Sequence, residues 1–262
     1  MASPEFRRRE ILRLLDDRAE CSVDALAERF GVSGMTIRRD LRALAADGRA
    51  LRTHGGAAPA PSVSFEFQFL ERSKRMAPAK EAIAAAAAEL VEDGQTVMLD
   101  SGTTTLAVAR RLRAKRRLTV VTTSLPIAAE LHGRPDSRLI LLGGLLRQDA
   151  PDLVGPLTEA NIENLHADAA FIGADGVDTR GNVYTDSLEL CSVLAKMTAA
   201  ARRTFIVADH EKVGRRALAR FATLAKIEAL ITDGGVDRKL IAELKRRGVP
   251  VIVAPPLKEK SR

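Results

Sequence analysis

Tryptophan is absent from this 262-residue sequence, tyrosine occurs once and phenylalanine eight times. Any core must therefore be aliphatic, built from leucine, valine, isoleucine and many alanines. Cysteine is scarce too: Cys21 and Cys191 stand 170 positions apart with no CxxC, and the histidines are the scattered His54, His132, His166 and His210. That pattern excludes a disulfide framework and a zinc-ligand spacing, leaves two buried structural thiols, and gives no reason to expect a metal or other cofactor. No run of about 18 apolar residues occurs, and the start MASPEFRRRE lacks the apolar stretch of a signal peptide. A soluble cytoplasmic protein with no membrane partner is expected. The net charge of +7 is unevenly spread: residues 1–55 hold 11 Lys/Arg against 9 Asp/Glu, residues 56–211 hold 17 against 20, and residues 212–262 hold 13 against 5. Bulk charge therefore points to no nucleic-acid site, and the arrangement of individual arginines has to do so.

Such an arrangement lies between Cys21 and Gly56, in CSVDALAERFGVSGMTIRRDLRALAADGRALRTHGG. A short helix with the apolar stripe Val23, Leu26, Ala27 and Phe30 leads through a Gly31-Val32-Ser33 turn into a second helix with its own stripe, Ile37, Leu41 and Leu44. At about 100° per residue, Met35, Arg39 and Arg42 fall opposite that stripe, with Thr36 and Arg38 on its flanks and Ser33 as the N-cap. Gly48 is read as the stop of this helix, and RALRTHGGA as a short hairpin carrying Arg49, Arg52 and His54, a wing that faces phosphate. Ahead of both helices, residues 4–16 read as a first helix packed through Ile11, Leu12 and Leu15. Its Arg7, Arg8 and Arg9 are either backbone contacts to DNA or a solvated helix end.

Beyond a Pro- and Ala-rich linker, AAPAPSVS, the alternating Phe65, Phe67 and Phe69 suggest a strand or an extended arm against a partner. The pattern then changes. QTVMLD, LTVVTT, RLILLGG, DAAFIGADG, TFIVAD, EALITD and VPVIVA are short apolar runs separated by helical stretches. Near-continuous apolar strands alternating with helices predict an open, mostly parallel sheet covered on both faces. The expected division is 1–57 for an all-α, winged helix-turn-helix domain, 58–75 for the linker and 76–256 for the α/β domain. In such sheets ligands collect beyond the carboxyl ends of the strands, and there the polar tips of this domain fall. Asp100, Ser101, Gly102, Thr103, Thr104 and Thr105 close one strand and open a helix, an arrangement suited to an anion such as phosphate and equally to a plain N-cap and tight turn. Gly143 and Gly144 end another strand; Gly173, Asp175 and Gly176 flank a third; Lys212 brings a cation to a fourth. Asp175 is assigned to polyol hydroxyls and Lys212 to added positive charge.

TIRRDL followed by a basic wing ending in HGGA resembles the DeoR family of bacterial transcription regulators, and the resemblance continues through LDSGTTT, LLGGLLR, LVGP, FIGADGVD and VADHEKVG over nearly the whole chain. It implies a winged helix-turn-helix joined to a sensor domain similar to sugar-phosphate isomerase folds. It implies a regulator, most often a repressor, of carbohydrate genes, with a double-stranded DNA operator and a phosphorylated sugar effector as partners. A homodimer or homotetramer is expected, since one recognition helix buries too little for specific binding. Carried over by motif, the phosphate cradle is Asp100 to Thr105, with Gly143, Gly144, Gly173 to Gly176 and Lys212 around it. One stretch departs: where many relatives carry an acidic pair and a Val-Lys-Arg run, this chain reads DSLELCSVLAKM, with Leu190 and Leu194 at the usual Glu and Lys positions; Glu189 and Lys196 fall on a different helix face, which argues against direct substitution and for a changed ligand. The alternative is an isomerase fused to a DNA-binding module. In ribose-phosphate isomerases an Asp-Gly-Ala-Asp run supplies carboxylates, and here Ile172 replaces the first, which favours binding without turnover.

Overall fold

The computed structural model describes residues 3–17, 20–46, 49–59 and 64–257, and the chain divides into two compact units, Met1–Glu71 and Arg72–Arg262. Gly48 and the tail KEKSR lie outside the described residues, as does part of the AAPAPSVS segment.

In the first unit α1 spans Pro4–Asp17, β1 Cys21–Ser22, α2 Val23–Phe30, α3 Gly34–Ala46, β2 Ala50–Arg52 and β3 Gly56–Pro59. Ile11, Leu15, Leu26, Ile37, Leu41 and Leu44 form its core, the apolar stripes of the three helices turned onto one another. Ser22 caps α2 by accepting from the Ala25 amide at 3.2 Å, and Gly31 ends it in the left-handed conformation at φ 61° that favours glycine. The three strands pair antiparallel in the order β1-β3-β2. Gly56 is obligatory in that sheet, because a Cβ there would lie 2.0 Å from the Cys21 carbonyl oxygen. Helix α4 covers Ser64–Lys74, so the segment with alternating phenylalanines is not extended. The Glu, Gln, Leu, Arg and Lys interleaved with and following the aromatics are strong helix formers, and they outweigh a five-residue alternation.

The second unit runs α5 (Ala77–Glu89), β4 (Thr96–Leu99), α6 (Thr103–Leu112), β5 (Thr119–Thr122), α7 (Leu125–Leu131), β6 (Arg138–Leu141), β7 (Leu145–Leu146), β8 (Leu153–Val154), α8 (Pro156–Glu163) and β9 (Ala167–Gly173). It continues with β10 (Gly176–Val177), β11 (Asn182–Thr185), α9 (Leu188–Ala199), β12 (Ala201–Val207), β13 (Ala219–Thr223), β14 (Ala229–Asp233), α10 (Arg238–Arg246) and β15 (Val251–Ala254). The seven apolar runs become the seven strands of one sheet, ordered β15-β14-β12-β9-β4-β5-β6 and parallel throughout. Its centre is buried on both faces: Phe171 and Phe205, paired across β9 and β12, stack at 5.1 Å between ring centroids. A small antiparallel sheet, β10-β11-β13, and the β7–β8 hairpin are additions that the periodicity did not announce. Because every strand of the main sheet runs the same way, the seven carboxyl ends share one edge. Among the described residues no helix is long and apolar enough to cross a membrane.

Candidate functional site

The first candidate surface is α3. Ser33 caps it, its hydroxyl accepting from the Thr36 amide at 3.2 Å and lying 3.0 Å from the Thr36 hydroxyl. Ile37, Leu41 and Leu44 are buried, whereas Met35, Arg38, Arg39 and Arg42 are exposed and Thr36 is half-buried. On the hairpin, Arg52 and His54 are exposed, and the tip is backed by the Val23 amide, which donates to the Gly55 carbonyl at 2.9 Å. This unit thus holds its arginines outward on a helix whose opposite face is fixed in a core, the geometry that groove insertion requires.

Arg7 and Arg8 do something else. Their Nε atoms donate to the two carboxylate oxygens of Asp40, at 2.8 and 3.0 Å, and Arg7 and Asp40 are both buried. The pair binds α1 to the buried face of α3. Arg9 remains exposed, its guanidinium 5.5 Å from the Phe6 ring. Asp40 was overlooked because it sits inside a DNA-reading motif. Its signal was positional: it falls three residues after Ile37 and four before Leu44, on the buried stripe, where a carboxylate demands a cation.

The second candidate lies on the carboxyl edge of the parallel sheet. Asp100, buried at the end of β4, accepts from the Gly102 amide at 3.0 Å, the Gly173 amide at 2.8 Å and the Thr105 hydroxyl. Burial pushes its carboxyl above the ordinary range, against the pull of those bonds. Asp100 therefore ties the β4 turn to the end of β9. Gly102 occupies the cap position of α6 without a capping side chain, and the first intrahelical bond runs from the Leu106 amide to the Gly102 carbonyl at 3.0 Å. The amides of Thr103, Thr104 and Thr105 precede it and carry the positive end of the helix. Thr103 is half-buried; Thr104 and Thr105 are buried.

Ser101 donates to Asp152, which also accepts from Arg147 Nε at 2.7 Å, and all three side chains are buried. Asp175 accepts from the Asp186 amide at 3.0 Å and stands 3.5 Å from Lys212 Nζ. A continuous chain of contacts thus leads from the start of α6 through Asp100 and the end of β9 to Lys212. Gly143 is open, but Gly144 packs on α8, where a Cβ would lie 1.9 Å from the Thr158 hydroxyl, and Gly176 packs on the backbone of residues 215–217. Close packing accounts for those two glycines. Leu194 is part of the core with Leu190 against it, and Lys196 pairs with Glu163 and Glu159 of α8, so Lys196 does not replace the absent cation. Ile172 is fully buried.

Two further groups at this edge escaped the sequence. Lys80 near the start of α5 is buried, and its ammonium donates to the carbonyls of Arg72 and Arg75. Burial lowers its pKa to about 8, partly opposed by Asp209. His210 Nδ1 lies 2.7 Å from Asp233 Oδ2. Burial works to raise the Asp233 pKa, but bonds from the His210 ring and from the amides of Gly235 and His210 hold it below the usual carboxylate range. Among the described residues no cluster of three or more His, Cys, Asp or Glu side chains suits a metal ion.

Comparison with known proteins adds the following. A family model described as DeoR-like helix-turn-helix domain matches residues 7–62, and one described as DeoR C terminal sensor domain matches residues 75–234. The HTH-type transcriptional regulator GlpR of Haloferax volcanii is 36% identical over 95% of this chain and 97% of its own length. The glycerol-3-phosphate regulon repressor of Escherichia coli K12 is 34% identical over 87% of this chain and 90% of its own. Among solved structures, ribose 5-phosphate isomerase A of Methanocaldococcus jannaschii matches with TM-score 0.37 and 20% identity over 51% of this chain and 53% of that one. At that level of likeness nothing about activity follows.

Proposed function

The chain belongs to the DeoR family of helix-turn-helix transcriptional regulators, and from that premise we propose that it is a cytoplasmic repressor of carbohydrate genes released from its operator by a phosphorylated sugar or polyol. Helix α3 enters the major groove, with Met35, Thr36, Arg39 and Arg42 toward base edges, Ser33 and Arg38 toward the backbone, and Arg52 and His54 of the wing against phosphate. The effector's phosphate rests on the amides of Thr103 to Thr105, Lys212 supplies the countercharge, and Asp175 accepts from hydroxyls. The observation that carries this reading is the uncapped start of α6, joined by Asp100 and Gly173 to the tip that bears Asp175, which in turn meets Lys212 from the end of β12. A relative named for a glycerol-3-phosphate regulon supports an effector of this size and charge. Release follows from linkage: a ligand with higher affinity for the arrangement that binds DNA poorly shifts the population toward it, within about 1–3 kcal/mol of coupling.

The test is a thermal-shift panel of aldose and ketose mono- and bisphosphates, followed by operator gel shifts and analysis for product. Stabilisation without turnover, with weakened operator binding, supports the repressor. Isomerised product would make the protein an enzyme, and silence across the panel would leave the second unit a device for assembly alone.

A further inference from the structure

Strand β6 is the outer strand of the parallel sheet and, among the described residues, pairs with β5 alone. Edges of this kind are normally guarded by charge, proline or a covering loop, because they offer unpaired backbone donors and acceptors. Here the opposite holds. Residues 139–146 read LILLGGLL, eight positions without a charged side chain. Ile140 and Leu141 of the edge strand, Leu145 and Leu146 of β7, and Leu157 at the start of α8 are between 37% and 68% exposed. The hairpin leads toward α8: the Cβ of Leu145 lies 3.9 Å from where a Cβ of Gly155 would stand, two residues before Leu157, and Leu141 precedes Leu145 by four residues along the chain. Of the two charges that bracket the run, Arg147 turns inward to Asp152, and Arg138 stays exposed at the first position of β6. That buried pair also fixes the hairpin's base, so its leucines are displayed on a set frame.

We propose that this apolar edge, β6 with the β7 hairpin and Leu157, is where a second copy of the chain docks, the two β6 strands meeting antiparallel about a two-fold axis. The exposed parts of these five side chains amount to roughly 500 Å² per copy, so two copies bury on the order of 1,000 Å², the size at which an interface becomes specific. A two-fold is the symmetry for which one surface suffices on both partners, and it is the symmetry of paired half-sites on DNA. The proposal rests on the regulator reading only for that last point.

Ile140→Lys/Leu145→Lys places two ammonium groups in the patch and, by symmetry, two more opposite them. Both positions are exposed, so the fold tolerates the change; an unchanged far-UV circular dichroism spectrum and a retained cooperative unfolding transition check this. Sedimentation velocity of the full-length protein is expected to give a wild-type species of at least two chains and a variant of half that mass. On an operator fragment with both half-sites, the variant is expected to bind more than 10-fold more weakly, with unchanged affinity for a single half-site. A monomeric wild type, or a variant of undiminished mass, would overturn the proposal, as would loss of assembly on placing the lysine at Val253 of the opposite edge strand instead. The mass measurement involves neither DNA nor effector, so failure of the regulator reading would appear separately, as a wild type that assembles and binds no operator.

Discussion

Asp40→Asn removes the carboxylate that holds α1 against α3 while keeping its shape. In the folded protein the Asp40 and Arg7 side chains are 3% and 8% exposed, with the Nε–Oδ2 contact at 2.8 Å, whereas Arg8 is 34% exposed. The two contacts therefore count differently. Removing one partner of a buried pair strands the other charge and costs about 3–5 kcal/mol; a half-exposed contact contributes about 0–1 kcal/mol. The neutral amide can still accept one hydrogen bond and Arg7 has a further partner in the fold, which places the expected loss at about 2–3 kcal/mol, below the cost of a stranded charge. A unit of about 70 residues has a total stability of about 3–10 kcal/mol, so the variant should be largely unfolded in its first unit well below the melting temperature of the second. Urea unfolding of the full chain, followed by hydrogen exchange to assign each transition, should show the first unit's midpoint moving down and the second unit's staying fixed. Operator binding should fall with the population of folded first unit, while Arg8→Ala should stay within about 1 kcal/mol of wild type. An Asp40→Asn midpoint within 1 kcal/mol of wild type would mean that Arg7 finds other partners and that the triad is not what joins the two helices.

Three further outcomes are expected. Arg39→Ala should weaken operator binding by about 1–3 kcal/mol and blur base preference, whereas Arg52→Ala should weaken all sequences alike and reduce the salt slope by roughly one, as titrations at several salt concentrations will reveal. Thr103→Asp puts a carboxylate at the start of α6 and should abolish stabilisation by the phosphorylated effector while leaving operator affinity intact; loss of DNA binding as well would point to a folding defect. Lys80 has its pKa lowered from 10.5 to about 8 by burial, so between those values the unfolded chain binds more protons than the folded one. Relative to Lys80→Met, wild-type stability should therefore be highest above about pH 10.5, decline by about 1–3 kcal/mol as the pH falls from there to about 8, and level off below, a difference read from paired denaturation curves. A flat difference would place Lys80 in contact with water.

The seven parallel strands were legible because strands buried on both faces leave unbroken apolar runs, and the helix-turn-helix because its stripes, Gly31 turn and Ser33 cap agree with one another. Two kinds of feature were not. Strands of two residues, such as β7, β8 and β10, are too short to carry a period. Pairings across long separations leave no mark either: Arg7 with Asp40, 33 residues apart, or Asp100 with Gly173, 73 apart. Yet Asp40 and Lys80 share a trace that periodicity does hold. Asp40 lies in register with Ile37 and Leu44, and Lys80 with Ile83, Ala84 and Ala87, all buried. A charge on an apolar stripe announces that a partner must be brought from elsewhere in the chain, without saying which.

The same accounting bears on what the carboxyl edge can hold. Its acids are already engaged: Asp100 by two amides and a hydroxyl, Asp152 by Arg147 and Ser101, Asp233 by His210 and Gly235, Asp175 by Lys212 and the Asp186 amide. Read as a list of residue types, the edge looks acidic; read by partners, each of these four carboxylates is hydrogen-bonded within the fold. What remains outward is the start of α6, whose first amides precede any intrahelical acceptor. A cationic ligand would have to take one of these carboxylates from its partner and leave that partner unpaired, at the cost of a broken charge-assisted bond, about 1.5–3 kcal/mol. A phosphate on the α6 amides takes no carboxylate from its partner and shares Lys212 with Asp175. On the proposed reading, discrimination in favour of an anion would come less from Lys212 than from the hydrogen bonds that already satisfy these acids, and removing Arg147 should erode it by freeing Asp152 beside Ser101.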